Sequence, residues 1–369
     1  MKICFIAPAS NYHTKKWCDW FRGHGHQIDV ISFTQGDIEG CTVHFIDSGA
    51  GVRGSDTQKL KYLLQAGKVH KLVKQIKPDV INVHYATSYG TVAALAMLPP
   101  YYLSVWGSDV YDFPNKSILH RFMLKFSMSR ATYLFSTSKA MAKEASKYTK
   151  KEFMITPFGV DCSLFSSEKT RVKKYDEIDT KDGKNFVIGT VKSLSDKYGI
   201  ATLLRATALF RKEHPEVPLQ LIIAGKGPQE EEYKALARKL KIDDITSWLG
   251  FIPQDQAAIE WANMDCAIIP SELESFGVSA VEAQACETPV IISDIPGLME
   301  ATEPGKTSIV VKRKNPQELE KAIWNVFLDT AERKRMGCAG RQYVKEHFEL
   351  NYCFKNIESN FIEKVKLSK

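Results

Sequence analysis

Residues 266–285 read CAIIPSELESFGVSAVEAQA. Cys266 to Pro270 is a short apolar run stopped by proline, the pattern of a buried strand. A polar loop bearing Glu274 comes next. Phe276-Gly277 then opens a helix over Val278 to Ala285, with Glu282 in its second turn. A strand that passes through a loop into a helix is half of a βαβ unit. The first N–H groups of such a helix have no acceptor within it, so a helix start at a strand end suits a phosphate or diphosphate. Here those groups belong to Val278, Ser279 and Ala280, and Gly277 permits close backbone approach. Glu274 stands on the same side, able to hydrogen-bond a hydroxylated ligand. Glu282 is placed to reach a second hydroxyl pair such as a ribose. The plainer reading makes these two acids a helix cap and a surface glutamate.

The same alternation extends outward in both directions. Strands are expected at Phe186–Val191, Leu219–Ala224, Thr246–Leu249, Pro289–Ser293 and Ser308–Val311, with helices between them. Upstream, Lys2–Pro8, Gln27–Phe33, Asp79–His84, Tyr101–Trp106 and Thr132–Ser136 read as strands. Helices are expected at His13–Gly25 and Leu60–Ile76, and a last amphipathic helix at Tyr352–Lys369. The fold class is therefore α/β, with two tandem Rossmann-like, doubly wound domains facing a cleft. The expected division is 1–165, a polar linker 166–184, 185–350, and a C-terminal helix 351–369.

Open parallel sheets bind ligands beyond the carboxyl ends of their strands. The loop after Val191 holds Lys192 and Lys197, two cations able to neutralise a diphosphate or simply to be solvated. Gly225-Lys226-Gly227-Pro228 is a strand-to-helix turn without the spacing of a P-loop. In the first half, His13, the stretch Asn82-Val83-His84-Tyr85 and Trp106-Gly107-Ser108-Asp109 sit in or at loops on one sheet edge.

Composition bounds what these loops serve. The chain has 369 residues, 44% hydrophobic and 25% charged, an ordinary globular balance with enough for two cores. Its net charge is +7. Up to Lys169 there are 21 Lys or Arg against 13 Asp or Glu; the remainder has 29 against 30. The first half thus carries the basic excess and should face an anionic partner. The eight cysteines include no C-x-x-C pair, so they are expected as free thiols in a reducing compartment. No signal peptide or membrane-spanning run is recognisable, so a cytoplasmic location is expected, with any membrane contact peripheral. No D-x-D, His/Cys cluster or G-x-S-x-G elbow occurs, and nucleic acid is a poor candidate partner.

Taken together, these residues resemble the family-4 retaining glycosyltransferases of the GT-B fold. Glu274 to Glu282 is similar to that family's E-x7-E motif. Ala283-Gln-Ala-Cys-Glu-Thr-Pro-Val and Pro296-Gly297-Leu298 are similar to the family's pattern downstream of that motif. The resemblance implies a nucleotide-diphosphate sugar donor, of UDP type, held by the second domain, and a saccharide or lipid-diphosphate-linked acceptor held by the first. It implies that Glu274, Lys192 and Lys197 act at the reacting centre. Donor contacts would come from Glu282, Phe276, Gly277, Val278, Ser279, Gly225, Lys226 and Phe251; acceptor contacts from His13, Trp106 and Asp109. It implies retention of configuration with neither metal nor cofactor, in surface polysaccharide or glycan synthesis. Trp106 stands where the family often has histidine. A non-catalytic sugar-nucleotide-binding subunit and a GT-B nucleotide-sugar epimerase are the alternatives. Two basic amphipathic stretches, Leu60–Lys77 and Asn115–Arg130, are candidate faces for an anionic bilayer or simply solvated helix faces.

Overall fold

The computed structural model describes residues 1–49, 60–170 and 185–368. The linker expected at 166–184 falls outside them from residue 171 onward. Two compact units are present: Met1–Phe158 with Phe354–Lys369, and Gly159–Cys353.

The first unit is built on seven strands: β1 (Lys2–Ile6), β2 (Gln27–Ser32), β3 (Thr42–Phe45), β4 (Val80–His84), β5 (Tyr102–Val105), β6 (Tyr133–Ser136) and β7 (Phe153–Ile155). They form one parallel sheet in the order β3-β2-β1-β4-β5-β6-β7. The second unit has β8 (Phe186–Val191), β9 (Leu219–Ala224), β10 (Thr246–Gly250), β11 (Cys266–Ile269), β12 (Val290–Ser293) and β13 (Ser308–Val311). These are parallel in the order β10-β9-β8-β11-β12-β13. In both sheets the order reverses beside the first strand, so switch points lie between β1 and β4 and between β8 and β11. The fold is the expected pair of parallel α/β sheets.

Two strands and several short helices, among them Ser88–Leu95 and Lys139–Ala145, are additional to the sequence reading. β3 is a half-buried edge strand and β7 has three residues, so neither gives a continuous apolar run. The helices Ser88–Leu95 and Lys139–Ala145 are too short, and the former too uniformly buried, to show an amphipathic period. The stretch expected as one helix from Leu60 is a 3-10 turn to Gln65 followed by a helix Ala66–Ile76.

The final helix, Leu350–Ser368, supplies Phe354 and Phe361 to the first unit's core. Phe354 lies 5.2 Å from Trp17, and Phe361 stacks on Phe21 at 5.6 Å. Glu358 accepts a 2.6 Å hydrogen bond from the His26 ring between them. No described helix is long and apolar enough to cross a membrane. Because Phe361 is fully buried, its truncation removes a large apolar surface and leaves a cavity. Phe361→Ala is expected to cost about 3–5 kcal/mol in urea unfolding of the full chain. A loss below about 1 kcal/mol would mean that the helix does not complete this core.

Candidate active site

The second unit's loops leave the carboxyl ends of β8, β9, β10 and β11 and are tied to one another. Lys192 N donates to Ala224 O at 2.8 Å, and Leu194 N to Lys226 O at 3.1 Å. Gly225 N donates to Gly250 O at 2.6 Å, which sets Gly225-Lys226 beside Gly250-Phe251. Gly225 adopts φ +138°, and a Cβ there would lie 1.9 Å from Lys192 O, so only glycine lets these loops meet. Lys226 and Phe251 are exposed at this rim.

Lys192 and Glu274 form the centre of this edge. Lys192 Nζ donates to Glu274 Oε2 at 2.5 Å, with both side chains about nine-tenths buried. Ser271 Oγ donates to the same oxygen at 3.5 Å. Lys192 also stands 4.6 Å over the Tyr198 ring, where Lys197 stands at 5.4 Å. Burial works against the Lys192 charge. The Glu274 carboxylate, helped by Tyr198 and Glu282, outweighs it and raises the ammonium's pKa. The lysine is therefore a buried, fixed cation. The Lys197 carbonyl accepts from Glu272 N at 2.8 Å and Leu273 N at 3.1 Å, fastening the Glu274 loop to the lysine loop.

The helix Val278–Ala285 begins beside this pair. Gly277, at φ +95°, precedes it. Ser279 Oγ donates to Val191 O at 3.0 Å and pins the helix start to the end of β8. The N–H groups of Val278 and Ser279 have no acceptor within the helix. Ala280 N, expected as a third free donor, is instead bonded to Gly277 O at 2.9 Å. The first turn is tight, so two amides remain for a ligand. Phe276 is buried against Phe348, its ring centroid 5.1 Å away, and so presents only backbone. Glu282 is buried and accepts from Trp261 Nε1 at 3.4 Å. The structure brings together Lys192, Glu274 and Tyr198, and joins Gly225-Lys226 to Gly250-Phe251. The group able to converge on a metal among the described residues, Glu213, His214 and Glu320, contains none of these.

In the first unit, His13, Trp106 and Asp109 also meet at loops beyond β1, β4 and β5. Asn11 caps the helix Tyr12–Gly23, accepting from His13 N at 2.8 Å, and its Nδ2 donates to Tyr85 Oη at 3.4 Å. The Trp106 ring lies 4.3 Å from His84, 4.9 Å from Tyr85 and 5.9 Å from His13. Asp109 is fully buried and accepts from Ala86 N, Trp106 N and Gly107 N at 2.8–3.1 Å. Its carboxylate is thus committed to shaping the loop that presents Trp106. Sequence reasoning missed Phe158, whose ring stacks on His13 at 4.0 Å. It also missed the backbone of Tyr85, held at φ +69°. Strain of this kind collects at functional loops. The signal for Phe158 was the Pro-Phe-Gly turn after a strand too short to recognise.

The family described as Glycosyl transferases group 1 matches residues 172–343, and that described as Glycosyl transferase 4-like matches residues 2–138. The chain belongs to the family-4 type of GT-B glycosyltransferases. A D-inositol 3-phosphate glycosyltransferase of Pseudarthrobacter chlorophenolicus is 29% identical over 214 residues, 57% of this chain and 50% of that protein. The chain thus matches half the length of that relative. An uncharacterised glycosyltransferase of Methanocaldococcus jannaschii is 23% identical over 92% of this chain and 89% of its own. Among solved structures, sucrose-phosphate synthase of Thermosynechococcus elongatus superposes with TM-score 0.84 at 18% identity, over 100% of both chains. Anabaena HepE, solved with UDP-glucose, gives 0.80 at 18% identity, over 98% of this chain and 100% of that one. At such identities the structural likeness is one of fold.

The first-unit loops of the chain carry two buried, neutral imidazoles. Burial, with Lys16 adding, lowers the His13 pKa to about 3. Burial, with His13 adding, lowers that of His84, whose two ring nitrogens have no hydrogen-bond partner. A depressed histidine pKa gives stability that is full above the unfolded value near 6.5 and lost as pH falls towards the folded value. Each such residue should therefore steepen the acid loss of stability by about 1.4 kcal/mol per pH unit between about pH 6 and 4. Urea unfolding of the His13→Gln variant over that range should show a slope shallower than the parent's by this amount. Equal slopes would refute the neutral, buried state of His13.

Proposed function

We propose that the protein transfers a sugar from a nucleotide-diphosphate donor of UDP type to a saccharide or lipid-diphosphate-linked acceptor, retaining the anomeric configuration and using no metal. The observation that carries this is the Lys192–Glu274 pair at 2.5 Å, beside the two amides of Val278 and Ser279. Departure of a diphosphate leaves positive charge on the sugar ring and negative charge on the leaving oxygen. Two lysines and a helix start are fixed donors aimed at one small region, the arrangement that stabilises developing anionic charge. In the free protein Glu274 neutralises Lys192. A diphosphate arriving at the helix start takes over the ammonium and releases the Glu274 carboxylate to the sugar hydroxyls. The Phe276-Gly277 backbone then holds the sugar, Glu282 the ribose, and the Gly225-Lys226 and Phe251 rim the base. The acceptor, held by His13 and Trp106, attacks from the face that the diphosphate leaves. The complex of HepE with UDP-glucose supports a UDP-sugar donor.

Glu274→Ala should lower turnover about 100-fold or more with UDP-sugar donors while leaving the fold intact, as read by product release and circular dichroism. Near-parental turnover would overturn the assignment.

The acceptor reading rests on the helix Ile118–Arg130. Leu124, Ser127 and Met128 face the core, whereas Ile118, Leu119 and Phe122 are 85%, 62% and 65% exposed. Lys116, Arg121 and Lys125 are exposed around them. Large apolar side chains ringed by cations match an anionic bilayer surface. In the other basic candidate, Leu60–Lys77, the helix Ala66–Ile76 turns Val69, Val73 and Ile76 inward, while Leu64 before it is exposed. We place the protein in the cytoplasm, peripherally on the inner face of the plasma membrane, in the synthesis of a surface glycan. Co-sedimentation with phosphatidylglycerol vesicles should be salt-sensitive and fall about tenfold or more in an Ile118→Ser, Phe122→Ser double variant. Absence of binding at low salt would remove the membrane from this account.

A further inference from the structure

Three side chains of metal-ligand type meet at the far end of the second unit's first long helix. The helix Ile200–Glu213 starts just after the loop of Lys192 and Lys197 and has 14 residues. It therefore runs about 21 Å from that loop. Pro215 stops it, because a residue ahead of proline is driven out of the helical region. His214 accordingly takes φ −130° and ψ 60°, and its carbonyl accepts from Val217 N at 3.1 Å. The His214 ring lies flat on Trp324 of the helix Pro316–Leu328, at 3.6 Å and 4°. Its Nε2 stands 3.2 Å from Glu320 Oε1. Glu213 is its neighbour on the helix, and one ligand atom from each of the three residues lies within 4.8 Å of the others.

The charge of this group is unbalanced. Glu320 is 4% exposed, and outside the group it has no partner among the described residues. A buried carboxylate ordinarily has a cation or several donors. Glu213 is exposed and pairs with no lysine or arginine among the described residues. Arg211, in the same turn, is held by Asp244 at 2.7 Å. The negative end of the helix macrodipole adds to the deficit of positive charge.

We propose that Glu213, His214 and Glu320 bind one divalent transition-metal ion of the zinc type, which clips the end of the helix Ile200–Glu213 to the helix Pro316–Leu328. Two ligands of a tetrahedral zinc, each at about 2.0–2.1 Å, stand about 3.3 Å apart. Nε2 and Oε1 are already at 3.2 Å. The exposed Glu213 carboxylate has to swing in, and water completes the shell. Two carboxylates neutralise a divalent charge. An imidazole ligand favours zinc over magnesium and calcium, which take oxygen. The Trp324 ring fixes the orientation of His214, as partners behind a metal ligand do.

The ion stands apart from the Lys192–Glu274 edge and takes no part in sugar transfer. It holds two helices that are also packed through Phe210, whose ring lies 6.0 Å from Trp324 and 6.5 Å from Phe327. Sequence could not show the group, because His214 and Glu320 are 106 positions apart.

Full-length protein freed of metal with EDTA and titrated with ZnCl2 by calorimetry tests this. About one Zn2+ should bind per chain, and a large excess of Mg2+ should not displace it. Glu213→Gln and His214→Gln should each weaken binding about tenfold or more, with parental circular dichroism. Co2+ in place of Zn2+ should give the visible bands of nitrogen and oxygen ligands, without the strong sulfur-to-metal transition of a cysteine site. That readout separates this site from the exposed Cys338. Glu213 is exposed, so its variant decides the outcome whatever His214→Gln does to the fold. No saturable binding, parental affinity in Glu213→Gln, or a sulfur-to-metal band would each overturn the site.

Discussion

A lysine ammonium held 2.5 Å from a glutamate carboxylate, both largely out of water, is the constraint around which the second unit's edge is arranged. Removing two charges from solvent costs more than their attraction returns unless geometry is fixed and other hydrogen bonds assist. The fixing comes from the sheet. Lys192 follows β8 and Glu274 follows β11, and those strands are neighbours only because the order reverses between them. The remaining loops serve the pair. Gly225 lets the β9 loop lie against the Lys192 carbonyl, Lys197 O holds the backbone just ahead of Glu274, and Ser279 locks the helix start to Val191. A buried pair of this kind adds little net stability. What it retains is a charged lysine in a place where burial alone would discharge it.

The first unit handles polarity by the opposite device. Its loops beyond β1, β4 and β5 hold neutral imidazoles packed between aromatic rings, and the acid buried among those loops, Asp109, is consumed by backbone amides. Much of the basic excess of this half lies on surface helices such as Ile118–Arg130, while Lys16 stands close enough to His13 to act on it. An aromatic floor with hydrogen-bonding rims suits a carbohydrate face, whereas surface cations suit an anionic environment around it.

The legible parts of this protein were those whose chemistry is local in sequence. The strand-loop-helix of Cys266–Ala285 announces itself through a proline-stopped apolar run, a glycine and a helix start. The alternation of such units was enough for two parallel sheets. What escaped depended on partners distant in the chain. β3 is only partly buried and is a strand because β2 pairs with it; Phe158 matters because His13 lies under it. The contact between Lys192 and Glu274 spans 82 positions, so sequence supplied both residues but not their bond. Ala280 shows the limit within a single turn: its N–H is taken by Gly277, a local tightening that no residue type dictates.

In the proposed reaction, an exchange of partners at Lys192 would let one cation serve both rest and reaction. In the free protein its charge is balanced, so the buried edge tolerates it without ligand. A diphosphate brings at least two negative charges, and the helix start adds two amide donors that Glu274 does not use. Competition for the ammonium would therefore favour the proposed ligand, and the displaced carboxylate would remain within the same enclosed edge, where electrostatic interactions are stronger than in water. A group that is neutralised before binding and exposed to developing positive charge during reaction interacts more strongly with the transition state than with the ground state, which is the condition for accelerating the chemical step.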